Sequence, residues 1–145
     1  MIMGAGIVSR LDISMQFASK LVEEAIAEAK RNQISVCAVV TDASGLPLAL
    51  QRMDEVKEPF LEIATDKAHT AATFRRSTEK LRDRMGEESL RLGVASRQRM
   101  MLWGGGLPIF LENTCIGGIG VSGGTPDQDV QCASAALATL NLNSE

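Results

Sequence analysis

Along residues 12–32, apolar side chains recur at Met15, Ala18, Leu21, Val22, Ala25, Ile26 and Ala29, while Glu23, Glu24, Glu28 and Lys30 fall mostly elsewhere. Steps of three and four positions are the period of one helical face, so the spacing predicts a helix, entered through Asp12 or Ser14 as N-cap. The period then changes. Residues 34–41 form a continuous apolar run rich in β-branched side chains, residues 42–45 end on Gly45, and residues 46–53 alternate. A strand, a turn whose last residue tolerates positive φ, and a second strand predict a β-hairpin. Pro59 interrupts the pattern, and residues 61–74 predict a second helix with Ile63, Ala64, Ala68, Ala71 and Phe74 available for burial.

The arginine-rich stretch 75–99 has a weaker pattern: residues 79–85 suit a short helix, and Gly86 and Gly93 punctuate the rest of it. Beyond it, residues 100–103, 107–111 and 115–122 are short strand candidates, separated by Gly104, Gly105 and Gly106 and by Asn113 and Thr114. The last two are placed to pair as a hairpin. The final helix has the clearest start in the chain, with Thr125 as cap, Pro126 at the first helical position, Asp127 at the positive end of the dipole and Gln128 completing a capping box. Val130, Ala133, Leu137 and Leu140 form its apolar seam. With no internal repeat or low-complexity tail, the chain reads as one α/β domain spanning residues 1–145, two hairpins making an antiparallel sheet with helices on its faces.

Composition narrows the function classes. Fifteen basic against 18 acidic residues give a net charge of -3, which offers no cationic excess for a phosphate backbone and disfavours a nucleic-acid partner. Arg75, Arg76, Arg82, Arg84, Arg91, Arg97 and Arg99 are interleaved with Glu79, Asp83, Glu87 and Glu88, the pattern of a solvated mixed-charge surface. Cys37, Cys115 and Cys132 show no paired spacing, so buried thiols in a reducing cytosol are expected rather than disulfides or a metal knuckle. The segment 1–8 lacks a basic leader and the apolar run 100–111 is shorter than a bilayer requires, so a cytoplasmic protein without membrane attachment is expected.

Eight of the 13 glycines lie between Gly104 and Gly124. Glycine weakens strands, so such a concentration implies a close approach to the backbone, a bulge or unusual dihedrals. The second run ends where the last helix begins, and free N–H groups there favour an anion. Gly104, Gly105, Gly106, Gly123, Gly124 and Thr125 are therefore the candidate anion or ligand residues, a carboxylate or propionate suiting them better than a nucleotide, since neither a P-loop lysine nor a dinucleotide fingerprint is present. The alternative is purely structural: the glycines shape turns and let the last helix pack close to the sheet. His69, the only histidine, excludes a multi-histidine metal site and stands as a candidate axial haem ligand or general base, or as a helical histidine without chemistry. Met53, Met85, Met100 and Met101 with Trp103 suit an apolar cavity or plain core. Asp42, Asp54, Asp66, Asp127 and Asp129 sit at predicted turns and helix ends, where aspartate commonly caps.

Taken in order, Val39-Val40-Thr41-Asp42-Ala43-Ser44-Gly45, Asp66-Lys67-Ala68-His69-Thr70-Ala71-Ala72-Thr73-Phe74, Gly104-Gly105-Gly106-Leu107-Pro108-Ile109, Ile116-Gly117-Gly118-Ile119-Gly120-Val121-Ser122-Gly123-Gly124 and Gln128-Asp129 resemble the GlcG/HbpS family, which includes the C-terminal domain of PduO-type proteins. The resemblance runs from about Leu11 to Leu140. It implies a profilin-like fold around a five-stranded antiparallel sheet flanked by helices on both faces, assembled as a homo-oligomer. For function it implies haem or corrinoid binding, auxiliary to diol, glycerol or glycolate metabolism. It carries over no catalytic residue, and the adenosyltransferase half of PduO-type proteins has no counterpart in the matching blocks. His69 occupies a variable position of the family's block, so its ligand role rests on its own chemistry. A non-enzymatic small-ligand binding protein is the reading these observations favour. An enzyme acting on a small hydroxy acid or dicarboxylate, or an assembly subunit of a metabolic complex, are the alternatives.

Overall fold

The computed structural model describes residues 4–145, so the first three residues of the segment considered for a leader lie outside the described residues. Helix α1 (Met15–Arg31) is followed by the hairpin β1 (Cys37–Asp42) and β2 (Pro47–Arg52), then by α2 (Glu58–Phe74), α3 (Thr78–Asp83), a 3-10 turn and α4 (Glu88–Ala95). A second hairpin, β3 (Gly106–Leu111) and β4 (Thr114–Ser122), leads to α5 (Pro126–Thr139). The four strands form one antiparallel sheet in the order β2-β1-β4-β3. No helix among the described residues is long and apolar enough to cross a membrane.

Local chemistry sets the element ends. Ser14 caps α1 by accepting from the Phe17 N–H, and the capping box of Thr125 and Gln128 opens α5 as its spacing predicts. In the first hairpin Asp42 accepts from the N–H groups of Ser44 and Leu46, and Gly45 turns the chain at φ 83°.

Strand alternation then distributes the core. Ala38, Val40, Ile119 and Val121 pack with the buried faces of α1 and α5, including Leu21, Val22, Ala133 and Leu137. Cys37 and Val39, the alternate residues of β1, pack instead with Ala64 and Ala68 of α2. The sheet is thus a middle layer, with α1 and α5 on one face and α2 on the other.

The expected five-stranded sheet is corrected to four strands. Residues 100–103 do not join it because their backbone groups are engaged elsewhere: the Met101 N–H donates to Thr70 Oγ1, and Trp103 O accepts from the Thr78 hydroxyl. On the outer edge of β3 a single bridge forms instead, the Phe110 N–H donating to Asn143 O at 2.8 Å. Helix α2 begins three residues before the predicted start, since Pro59 stands in its first turn, where no N–H is needed. Helix α4 has no counterpart among the predicted elements; none of its residues is buried, so it leaves no periodic apolar trace. Phe74, expected in the core, is 45% exposed.

Candidate functional site

The glycines of β3 and β4 answer first to helix packing. A Cβ on Gly118 or Gly120 would lie closer than 3.0 Å to α2 backbone atoms, Ala68 O and Ala64 O respectively, and one on Gly106 would meet Lys67 O at 2.6 Å. These glycines and the alanines of α2 let a helix seat directly on the sheet. The helix making the close approach is α2, not the last helix.

That seating buries Lys67, which is 1% exposed. Its Nζ donates to Val121 O at 2.8 Å and to Asp129 Oδ2 at 2.9 Å. Asp129 is itself 2% exposed, and its other oxygen accepts from the Gly124 N–H at 3.0 Å. Burial pushes the Lys67 ammonium down and the Asp129 carboxyl up, while their mutual attraction opposes both shifts. A side chain at Gly105, where φ is 124°, would meet Val121 O, Asp129 Cβ and Lys67 Nζ, all within 3 Å. Both glycine runs therefore converge on this ion pair. Its signal in the sequence is a lysine among Ala64, Ala68 and Ala71 on the apolar face of a helix.

At the start of α5 three of the donors expected to bind an anion have partners within the chain. Gly124 N–H is taken by Asp129, Thr125 N–H by the Gln128 side chain and Gln128 N–H by Thr125 Oγ1. Asp129 makes this contact, not Asp127, which is exposed. Gly123, Gly124 and Thr125 line one side of a cavity of about 610 Å³ with Val56, Lys57 and Phe60. Gly104 is buried against the Glu79 side chain, on a different part of the surface.

His69 faces another cavity, of about 540 Å³, between the C-terminal half of α2 and the segment that returns from α4. This size falls within the usual range for small-molecule pockets. The half-buried ring is held at the first hairpin, with Nδ1 3.2 Å from Gly45 O. A carbonyl can only accept, so this contact assigns a proton to Nδ1, and in the neutral ring that tautomer carries its lone pair on Nε2. Thr70 builds the opposite wall by donating to Arg99 O and accepting from the Met101 N–H. Phe74 and Met100 contribute apolar surface, and Arg97 and Arg99 contribute charge. Met100 is the one member of the methionine and tryptophan set found at this cavity; Met53 packs into the core and accepts from the Val36 N–H.

Among the described residues no group of three or more His, Cys, Asp or Glu side chains is placed to hold a metal ion. A single imidazole with a fixed tautomer and a free nitrogen suits a metal already held by a macrocycle.

Comparison with known proteins places these features in context. The family model described as haem degrading protein HbpS-like matches residues 13–138. A 15.0 kDa protein encoded in the dhaT-dhaS intergenic region of Citrobacter freundii is 35% identical over 127 residues, covering 86% of this chain and 89% of that protein. Among solved structures, the PduOC–haem complex superposes with a TM-score of 0.85 at 28% identity, covering 93% of this chain and 99% of that one. HbpS superposes with a TM-score of 0.87 at 26% identity over 97% and 98% of the two chains.

Proposed function

The chain belongs to the HbpS-like family, and from that premise we propose that it binds a haem-type tetrapyrrole in the His69 cavity, with His69 Nε2 as axial ligand. The family supplies the ligand class, since a relative covering nearly the whole chain has been solved with haem. The observation that carries the location is the contact of His69 Nδ1 with Gly45 O. It orients the imidazole, and in the neutral ring it selects the tautomer whose lone pair is on Nε2, the one a metal ligand at that nitrogen needs.

A haem bound there would supply the redox chemistry of iron; the chain holds and orients it. Phe74, half exposed at the cavity, offers a ring face to the macrocycle. Thr70 fixes the wall that carries Met100 through its two hydrogen bonds to the backbone at Arg99 and Met101. Gly45 admits the ring: a Cβ at that position would lie 2.5 Å from His69 Nδ1.

Titration of the purified protein with hemin tests the reading. Uptake with a shifted Soret band and a low-spin ferric spectrum is expected, and His69→Ala is expected to remove the low-spin component. A Soret band that never departs from that of hemin mixed with a non-binding control protein would overturn haem binding. A low-spin spectrum unchanged in His69→Ala would overturn the assignment of the ligand.

A further inference from the structure

We infer that Arg97 and Arg99 make the His69 cavity selective for tetrapyrroles that carry free carboxylates, and against those whose side chains are amidated or esterified. The inference rests on the proposed reading of this cavity as a tetrapyrrole site, and it separates two ligands that reading leaves together, since haem bears two ionised propionates whereas the corrin side chains of cobalamin-type molecules are largely amides.

Charge is the first observation. The chain has a net charge of -3, yet this cavity is lined by two guanidinium groups and no carboxylate. The four other described cavities each carry at least one acid: Glu112 and Glu145, Glu55, Asp12, and Glu58 with Glu62 and Asp66. Arg10 and Arg75 outnumber the one acid of another cavity, but among these five only the cavity that contains the histidine combines guanidinium groups with a lining free of acids.

Orientation is the second. Arg99 donates through Nε to Asp66 Oδ1 at 3.2 Å, and its carbonyl accepts from Thr70, so both its backbone and the root of its guanidinium are held. Among the described residues its two Nη groups have no hydrogen-bond partner, and neither does any guanidinium nitrogen of Arg97. Asp66 thus aims Arg99 while occupying only the Nε position, leaving the pair of Nη donors for a planar carboxylate. The Arg99 side chain is 45% exposed. This suits the mouth of a pocket, where a macrocycle inserted toward His69 keeps its carboxylates at the solvent boundary. In the remaining arginine cluster, basic and acidic residues are interleaved along the chain; Arg97 and Arg99 both line the His69 cavity, and Arg99 also borders the neighbouring cavity of Glu58, Glu62 and Asp66, the last of which holds its Nε.

The test compares hemin with hemin dimethyl ester, which has the same iron and ring but no ionised carboxylate, in one detergent-containing buffer. Binding is followed at the Soret band for the natural protein, Arg97→Gln/Arg99→Gln, Arg97→Lys/Arg99→Lys and His69→Ala. The natural protein is expected to bind hemin roughly tenfold more tightly than the ester, consistent with charge-assisted pairing. The glutamine variant should bind both at the ester's affinity with an unchanged low-spin spectrum, and the lysine variant should keep part of the preference. Equal affinities in the natural protein, or a preference surviving in the glutamine variant, would overturn the inference while leaving the site intact. If neither porphyrin gives a His69-dependent spectrum, the site itself is lost and the inference falls with it.

Discussion

Lys67 Nζ and Asp129 Oδ2 lie 2.9 Å apart, although the lysine belongs to α2 on one face of the sheet and the aspartate to α5 on the other. The sheet lets them meet because Gly105, just before β3, presents no side chain. The pair is a bolt through the middle layer, tied at one end to Val121 O and at the other to the Gly124 N–H.

Removing the cation alone leaves a buried carboxylate without its partner. Lys67→Met is expected to destabilise the fold by about 3–5 kcal/mol, and Lys67→Met/Asp129→Leu to regain most of that loss. The single variant should also be pH-sensitive. The Asp129 carboxyl, already raised by burial, rises further without the lysine; its contribution is then largest below the unfolded carboxyl's titration and is lost as pH rises through the folded value. Urea denaturation of both variants from acid to neutral pH checks the size and sign.

Two glycine replacements should act in opposite directions. Gly120→Ala puts a methyl group against Ala64 O and must lift α2 from the sheet, costing about 3 kcal/mol or preventing folding. Gly93→Ala lies in α4 with open space around it, and should add about 0.5–1 kcal/mol by restricting the unfolded chain and favouring helix. Thermal unfolding of the two proteins decides.

The Cys132 thiol is pushed up to about 11, first by burial and then by the negative charges of Asp129 and Glu28. Raised above its unfolded value, it contributes stability that is complete below the unfolded thiol's titration and is lost as pH rises through about 11. Cys132→Ala should therefore show a shallower stability loss on the alkaline side, by roughly 2–3 kcal/mol, in denaturant titrations between pH ~8 and ~11.

Gly45→Ala probes the support of the candidate ligand. The residue has φ 83° and its added methyl group would fall 2.5 Å from His69 Nδ1, so the ring must move. Hemin affinity is expected to drop about tenfold or more, with loss of low-spin character, while far-UV circular dichroism stays that of the natural protein.

Much of the fold is legible in the sequence because capping and periodicity are local. Ser14, the turn at residues 42–45 and the Thr125 capping box do their work within a few residues of themselves. Met101 has the neighbours of a strand residue, yet its N–H finds Thr70 Oγ1, 31 positions away in sequence, and no local pattern records that. The glycines do mark close approach, but the approaching body, α2, is a tertiary fact. Lys67 carries a signal in its alanine-flanked position; Asp129 does not, because an aspartate in the first turn of a helix already has a local reason to be there. His69 stands out by its uniqueness, whereas Arg97 and Arg99 dissolve into a charge-balanced stretch until the fold sets them beside it.

Because His69 is the only histidine, labelling histidine alone with nitrogen-15 marks one residue in the whole chain. Electron spin-echo envelope modulation of the ferric hemin complex is the most direct test of axial ligation. With His69 on the iron, the modulation from the iron-bound nitrogen changes from the nitrogen-14 to the nitrogen-15 pattern on labelling. A low-spin complex whose modulation is indifferent to the label would place the iron on another residue and contradict His69 ligation.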